Sequence, residues 1–133
     1  MQITGQCHCG AIAYAAEVEP GTVVLCHCHD CQTFSGAPYR AMVRPVPDTL
    51  VLTGEPVHYA KVAQSGNVRL QGFCGACGTH LYARNQDGSA LGLRIGAIAQ
   101  RAQLGAPMRQ VWCESALPWT FALPEDGRLD QQG

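Results

Sequence analysis

The sequence has few aromatic residues, little excess charge and no long apolar run. Aromatic side chains make up 7% of its 133 residues, and nine basic and ten acidic residues leave a formal net charge of −1. No run of like charge and no basic arm stands out, so the electrostatic pattern typical of binding to nucleic acid or anionic membranes is missing. No apolar segment is long enough to cross a bilayer. We therefore expect neither nucleic acid nor a membrane as a partner.

The first six residues also lack the basic and apolar regions of a signal peptide, which predicts a cytoplasmic protein. Against this background the eight cysteines are the most informative feature of the chain. In a reducing compartment, cysteines are more often metal ligands or catalytic thiols than disulfide partners. A chain of this length buries only a modest core, so a bound metal would contribute substantially to its stability.

Short apolar segments between glycine and proline residues predict a mainly β fold. The segments are rich in Val, Ile, Thr, Tyr and Phe, and turn sequences such as Glu19-Pro20-Gly21 separate them. The predicted strands span residues 11–18, 22–26, 37–44, 50–52, 57–61, 68–73, 79–83 and 90–98. Many short strands favour an antiparallel sandwich or barrel-like arrangement.

Helices are predicted only at residues 30–35 and 96–104. The chain becomes polar after Pro124, so we expect one domain over residues 1–124 and a loose tail over residues 125–133.

Seven cysteines lie in three clusters: Cys7-His8-Cys9, Cys26-His27-Cys28-His29-Asp30-Cys31 and Cys74-Gly75-Ala76-Cys77. A Cys-x-Cys pair on an extended segment presents both sulfurs on one face, and a Cys-x-x-Cys pair beside glycines turns both thiolates toward one ion. Two such pairs make a tetrahedral zinc site, and three cysteines then remain for a second site with an open position, as a catalytic zinc needs. Spacing alone does not decide which pairs combine.

The three clusters lie within longer motifs, and the order of these motifs along the chain is specific to one family. The motifs are Gly5-Gln6-Cys7-His8-Cys9-Gly10 followed by Tyr14, Cys26-His27-Cys28-x-x-Cys31 followed by Ser35-Gly36-Ala37, Phe73-Cys74-x-x-Cys77-Gly78-Thr79, and a late Ala116-Leu117-Pro118-Trp119. Together they resemble the glutathione-dependent formaldehyde-activating enzyme and centromere protein V family. The resemblance implies a zinc-bearing β-tent fold. It also implies a structural zinc on Cys7, Cys9, Cys74 and Cys77, and a functional zinc on Cys26, Cys28 and Cys31.

The activity implied by the resemblance is that of a zinc-dependent carbon–sulfur lyase. Such an enzyme joins a thiol such as glutathione to a small aldehyde such as formaldehyde and gives S-(hydroxymethyl)glutathione. The alternative is a non-catalytic zinc module that binds a protein partner, with two closed zinc sites or an empty second site. The sequence leaves the oligomeric state open.

The predicted catalytic residues are the three middle cysteines, Cys26, Cys28 and Cys31, together with His29. His29 is a candidate for moving a proton to the forming alkoxide, or it is a fourth zinc ligand that closes the site. His27 should point away from the sulfurs if this segment is extended.

Four further residues with charged side chains are candidate contacts for the glutathione carboxylates, although solvated charges on a strand face explain them more simply. They are Arg40, Arg44, Arg69 and Arg84. Asp30 is expected to cap the helix that follows it, and the isolated Cys113 is expected to be a buried thiol.

Overall fold

The computed structural model describes residues 1–63 and 65–131, and it confirms the mainly β fold. The strands are β1 Gln2–Gln6, β2 Ala13–Glu17, β3 Val24–Cys26, β4 Arg40–Val43, β5 Val51–Thr53, β6 Val57–Val62, β7 Val68–Phe73, β8 His80–Asn85, β9 Gly92–Arg94 and β10 Arg109–Val111. Within these ranges the one α-helix is α1, His29–Ser35, and short 3₁₀ turns lie at Ile95–Ala97, Arg101–Gln103, Cys113–Ser115 and Pro118–Phe121. None of these described helices is long and apolar enough to span a membrane.

The strands form two sheets. The smaller sheet has the order β1-β2-β5, and the larger has the order β10-β3-β4-β9-β8-β7-β6. The expectation of antiparallel strands is confirmed everywhere except at one edge, where β10 runs parallel to β3. Residues 27–108 separate β3 from β10. Parallel neighbours require such a long connection because a tight hairpin can join only antiparallel strands.

The hydrophobic core lies between the two sheets. Alternating side chains of β1 and β2 point into it, including Ile3, Tyr14 and Ala16, and β8 and β9 contribute Leu81 and Leu93 from the larger sheet. The buried cluster also contains Cys7 and Cys74. Two of the clustered cysteines are therefore part of the core.

Two strands, β1 and β10, were not among those predicted. β1 carries one large buried apolar side chain, Ile3, between polar and glycine residues, and β10 is exposed at the edge of the larger sheet. Both strands are stabilised by pairing with a neighbour rather than by their own apolar pattern, which is why a search for apolar segments overlooks them.

The predicted helix over residues 96–104 is instead two 3₁₀ turns. The predicted tail forms neither helix nor strand over residues 125–131, and its last two residues lie outside the described part of the chain.

The helix α1 begins one residue earlier than predicted, and its N-cap is Cys28 rather than Asp30. The Cys28 sulfur accepts the amide of Cys31, so a cysteine occupies the position that Ser, Asp or Asn usually fills. At the other end Gly36 has φ 62° and forms the left-handed cap. The Ser35-Gly36 sequence therefore ends the helix.

Gly5 lies directly under the ring of Tyr14, its partner across the β1–β2 pair. A Cβ atom at Gly5 would lie 2.2 Å from Tyr14 Cζ, and the Tyr14 ring is buried in the core. We expect Gly5→Ala to lower the free energy of unfolding by about 1–3 kcal/mol because the ring must shift in a packed core. Urea denaturation measures the change. Gly96→Ala is the matched control, since a Cβ there meets nothing within 4 Å; equal losses for both variants would contradict the prediction.

Candidate metal centres

Four cysteine sulfurs converge where the loop after β1 meets the turn between β7 and β8. The Sγ atoms of Cys7, Cys9, Cys74 and Cys77 all lie within 4.8 Å of one another. The Cys9 sulfur is 3.6 Å from that of Cys7 and 3.7 Å from that of Cys74. Sulfur ligands about 2.3 Å from a tetrahedral zinc ion stand about 3.8 Å apart, so this group fits a four-sulfur metal site. The structure thus combines the first and last cysteine pairs.

The backbone around the last pair folds as a tight turn. The Gly78 amide donates to the Cys74 carbonyl at 2.8 Å, and the Cys74 amide donates to the Thr79 carbonyl at 2.9 Å. This turn requires φ 75° at Gly78, which side-chain-bearing residues rarely adopt. The Thr79 hydroxyl lies 3.2 Å from the Cys77 sulfur, and its hydrogen bond lowers the pKa of Cys77 to about 5. The turn therefore favours the thiolate form that a metal ligand needs.

The other three cysteines form a second cluster at the start of α1, with their sulfurs also within 4.8 Å of one another. Cys26 ends β3, Cys28 caps the helix, and the first helical turn brings Cys31 back beside both. A hydrogen bond from the Cys31 thiol lowers the pKa of Cys26 to about 5. Among the described residues no fourth side chain of a metal-ligating type joins this group. The three sulfurs therefore form an incomplete tetrahedral ligand set.

The two histidines of the middle motif lie apart from the three sulfurs. His27 is fully buried against the rings of Tyr39 and Phe121, at centroid distances of 5.3 and 5.4 Å. Its Nε2 lies 2.7 Å from the Gln110 side-chain oxygen, so the ring holds this part of the chain against β10. The position of His27 away from the sulfurs agrees with the expectation for an extended segment. His29 is exposed on α1 and belongs to no cysteine group. Its catalytic role stays a prediction.

A cavity of about 160 Å³ opens beside the three-cysteine cluster. Besides the cysteines, its walls are formed by Asp30, Phe34, Arg40, Lys61, Arg69, Gln71 and Trp112. The sheet register places Cys26 opposite Arg40 and Lys61 opposite Arg69, so these side chains share one face of the larger sheet. Lys61 forms an ion pair with Asp30. A larger cavity of about 740 Å³ over the smaller sheet borders only Cys7 among the clustered cysteines, so the smaller cavity is the one associated with the incomplete ligand set.

Arg94 lies behind the wall of this cavity. It is 7% exposed, and its Nη2 donates to the Gln71 side-chain oxygen at 3.0 Å. Burial, followed by the nearby Arg40 charge, lowers the pKa of Arg94 to about 9, which leaves the guanidinium cationic at neutral pH. Within the described residues, Nη1 of Arg94 and Nε of Arg40 are buried without a hydrogen-bond partner.

Sequence reasoning found only part of this cavity. Of the four candidate arginines, Arg40 and Arg69 line it, whereas Arg44 and Arg84 do not. The other polar residues of the cavity region were missed: Asp30 as an ion-pair partner, Lys61, Gln71 and Arg94. A polar residue within a short, mainly apolar strand is the signal that could have indicated Gln71 and Arg94.

The expectation that Cys113 is buried is wrong. Trp112 adopts a left-handed conformation with φ 57° and leads into a 3₁₀ turn on the surface, where Cys113 is exposed. Trp112 itself is exposed at the rim of the cavity.

The family model for the glutathione-dependent formaldehyde-activating enzyme matches residues 2–115, which contain all three cysteine clusters. The fold is similar to the crystal structure of a Rhodobacter sphaeroides protein, with a TM-score of 0.61 and 17% sequence identity. That similarity covers 80% of this chain and 98% of the other, and at such identity it supports the fold alone. None of the curated proteins compared with the chain matches it at a significant level. The match over most of its length shows that the chain belongs to the glutathione-dependent formaldehyde-activating enzyme family.

Proposed function

We propose that this protein catalyses the addition of a thiol to a small aldehyde at the three-cysteine cluster. The observation that carries the proposal is a group of three sulfurs, lacking a fourth ligand among the described residues, at the wall of a cavity. Glutathione and formaldehyde are the substrates that the family suggests, and S-(hydroxymethyl)glutathione is their product.

Zinc is the metal that we assign to both clusters, because all-sulfur ligand sets with these spacings suit it. When bound by three thiolates, zinc would supply a further coordination position that favours the thiolate form of a substrate thiol. The four-sulfur group has a complete ligand set, so we assign it a structural role.

The reaction forms one carbon–sulfur bond. The substrate sulfur, having lost its proton, adds to the aldehyde carbon, the carbonyl π electrons move to oxygen, and that oxygen takes up a proton. Of the cavity residues, Lys61 and Asp30 form an ion pair able to carry this proton, whereas the exposed His29 does not line the cavity. Phe34 and Trp112 contribute aromatic rings to the cavity lining.

A zinc titration of the metal-free protein tests this proposal. Four thiolates hold zinc more tightly than three, so the structural cluster should fill first. We expect adduct formation from glutathione and formaldehyde to stay at the uncatalysed rate up to one equivalent of zinc and to rise between one and two equivalents. Exchange NMR at low temperature and mildly acidic pH measures this rate, because the spontaneous addition slows as thiolate becomes scarce.

Cys113→Ser serves as the control for the titration. Its cysteine is exposed and belongs to neither cluster, so this variant should follow the wild-type curve. Two bound equivalents of zinc without any catalysis would rule out the enzyme and leave the protein-binding zinc module.

A further inference from the structure

The cavity beside the three-cysteine cluster is strongly cationic. Arg40 and Arg69 line it, and Arg94 lies behind Gln71. Lys61 is neutralised by Asp30, in the one ion pair that the described residues form. Three guanidinium groups therefore remain without a carboxylate partner in the described parts of the chain.

The larger sheet concentrates these charges on one face. Arg94 on β9 pairs with Met42 on β4, two residues after Arg40, so both arginines point to the same side. Arg69 joins them from β7, where Gln71 follows it at the next position on that face. Grouping like charges in a partly buried place is unfavourable unless an anion compensates them.

Two of the three guanidinium groups also have a hydrogen-bond donor without an acceptor among the described residues. Arg94 Nη1 and Arg40 Nε are buried and have no partner within the described ranges. A buried donor left unpaired is costly, and a carboxylate accepts two parallel hydrogen bonds from a guanidinium group. Arg69 is already held in place, because its Nη1 donates to the Asn85 side chain at 2.8 Å. Arg69 and Arg94, which donates to Gln71, therefore each have a side-chain partner that positions them before a ligand binds.

The balance of charge indicates what kind of thiol the cavity suits. Three thiolates and one divalent ion would together carry a single negative charge, so three guanidinium groups leave two positive charges in excess. A substrate thiolate neutralises one of them. A carboxylate on the same molecule neutralises the other, whereas a neutral thiol leaves it uncompensated.

Building on the proposed function, we propose that the preferred thiol carries a carboxylate close to its sulfur and that Arg40 and Arg69 bind this group. The cavity volume of about 160 Å³ is below the roughly 300–1,000 Å³ of sites that enclose drug-sized ligands. It suits a small mercaptocarboxylate, and a tripeptide such as glutathione would extend outside it. Arg94 acts through Gln71 as a positioning residue.

A pair of thiols of equal size tests the proposal. Calorimetry on the two-zinc protein should show 3-mercaptopropionate binding at least about tenfold more tightly than 3-mercaptopropionamide, as expected for a charge-assisted hydrogen-bonded pair. Arg69→Gln should remove this preference and leave binding of the amide unchanged. Arg44→Gln is the matched control, because Arg44 is exposed and outside the cavity, and it should keep the preference.

Arg40→Gln provides a second variant in case loss of the Arg69–Asn85 contact disturbs the strand pair. Zinc content and thermal unfolding of every variant are measured alongside binding. Equal affinity of the wild type for the two thiols, or no binding of either, overturns the proposal. An arginine variant that loses zinc and binds both thiols more weakly by the same factor also overturns it, because the arginines would then only balance the charge of the cysteine thiolates. Selective binding of the acid without adduct formation supports the carboxylate subsite and rejects the proposed reaction.

Discussion

Cys74→Ser is expected to prevent stable folding, or to lower the free energy of unfolding by more than about 5 kcal/mol. Cys74 is 2% exposed, lies in the core, and has its sulfur 3.7 Å from that of Cys9. The free energy of binding a structural zinc ion, about 10–16 kcal/mol, is available to the folded state alone and is comparable to or larger than the whole stability of a typical domain. Removing one of four ligands therefore removes most of that contribution.

The position of this cluster explains why so large an effect is expected. It joins the loop after β1, in the smaller sheet, to the turn between β7 and β8, in the larger sheet. Without it, the two sheets are held together only by a modest apolar core and a few connections. Circular dichroism during thermal unfolding, together with zinc content per chain, measures the loss. A Cys74→Ser protein that melts like the wild type and retains two zinc ions would show that this cluster is not a structural metal site.

Cys28→Ser is expected to abolish catalysis while leaving the fold intact. Cys28 contributes one of the three clustered sulfurs and also caps α1, where its sulfur accepts the Cys31 amide at 3.4 Å. Serine is a favoured N-cap residue, so the variant keeps the helix start and loses only the thiolate. We expect zinc content to fall from two ions per chain to one and adduct formation to fall to the uncatalysed rate. The variant should lose the stability contributed by the second zinc ion but stay folded, because the four-sulfur cluster is unchanged.

Thr33→Ala is the matched control, because Thr33 is exposed on the same helix and belongs to no cysteine group. Cobalt in place of zinc adds a second readout, since its absorption spectrum should change when a thiol is added to the wild type but not to Cys28→Ser. Full activity in a Cys28→Ser protein that holds one zinc ion would place the reaction somewhere other than this cluster.

The cysteine spacing carried most of what the sequence revealed about the site. Paired cysteines beside glycines are local features, so the two kinds of half-site are recognisable without a fold. Their combination is not local, since Cys9 and Cys74 are far apart in sequence, and only the family resemblance indicated it. The structure brings the same groups together. The burial of His27 also followed from local geometry.

Two predictions were wrong because the surroundings of a side chain depend on its neighbours as well as on its residue type. Cysteine is usually buried, yet Cys113 lies on the surface because of the left-handed turn that begins at Trp112. Asp30 was expected to be a cap and is instead the partner of Lys61, which reaches it from a distant strand. In both cases the amino acid type was informative on average but not at this position.

The mainly β class, the turns and the sets of sulfurs available to hold metal ions could be predicted from the amino-acid sequence, because strand alternation and tight turns depend on neighbours within a few residues. The charged side chains around the three sulfurs could be identified only from the three-dimensional fold. Arg40, Arg69 and Arg94 come from three strands of the larger sheet, and Lys61 comes from a fourth. Their meeting depends on the order and register of those strands, which are set by packing of the whole core and cannot be deduced from any one segment.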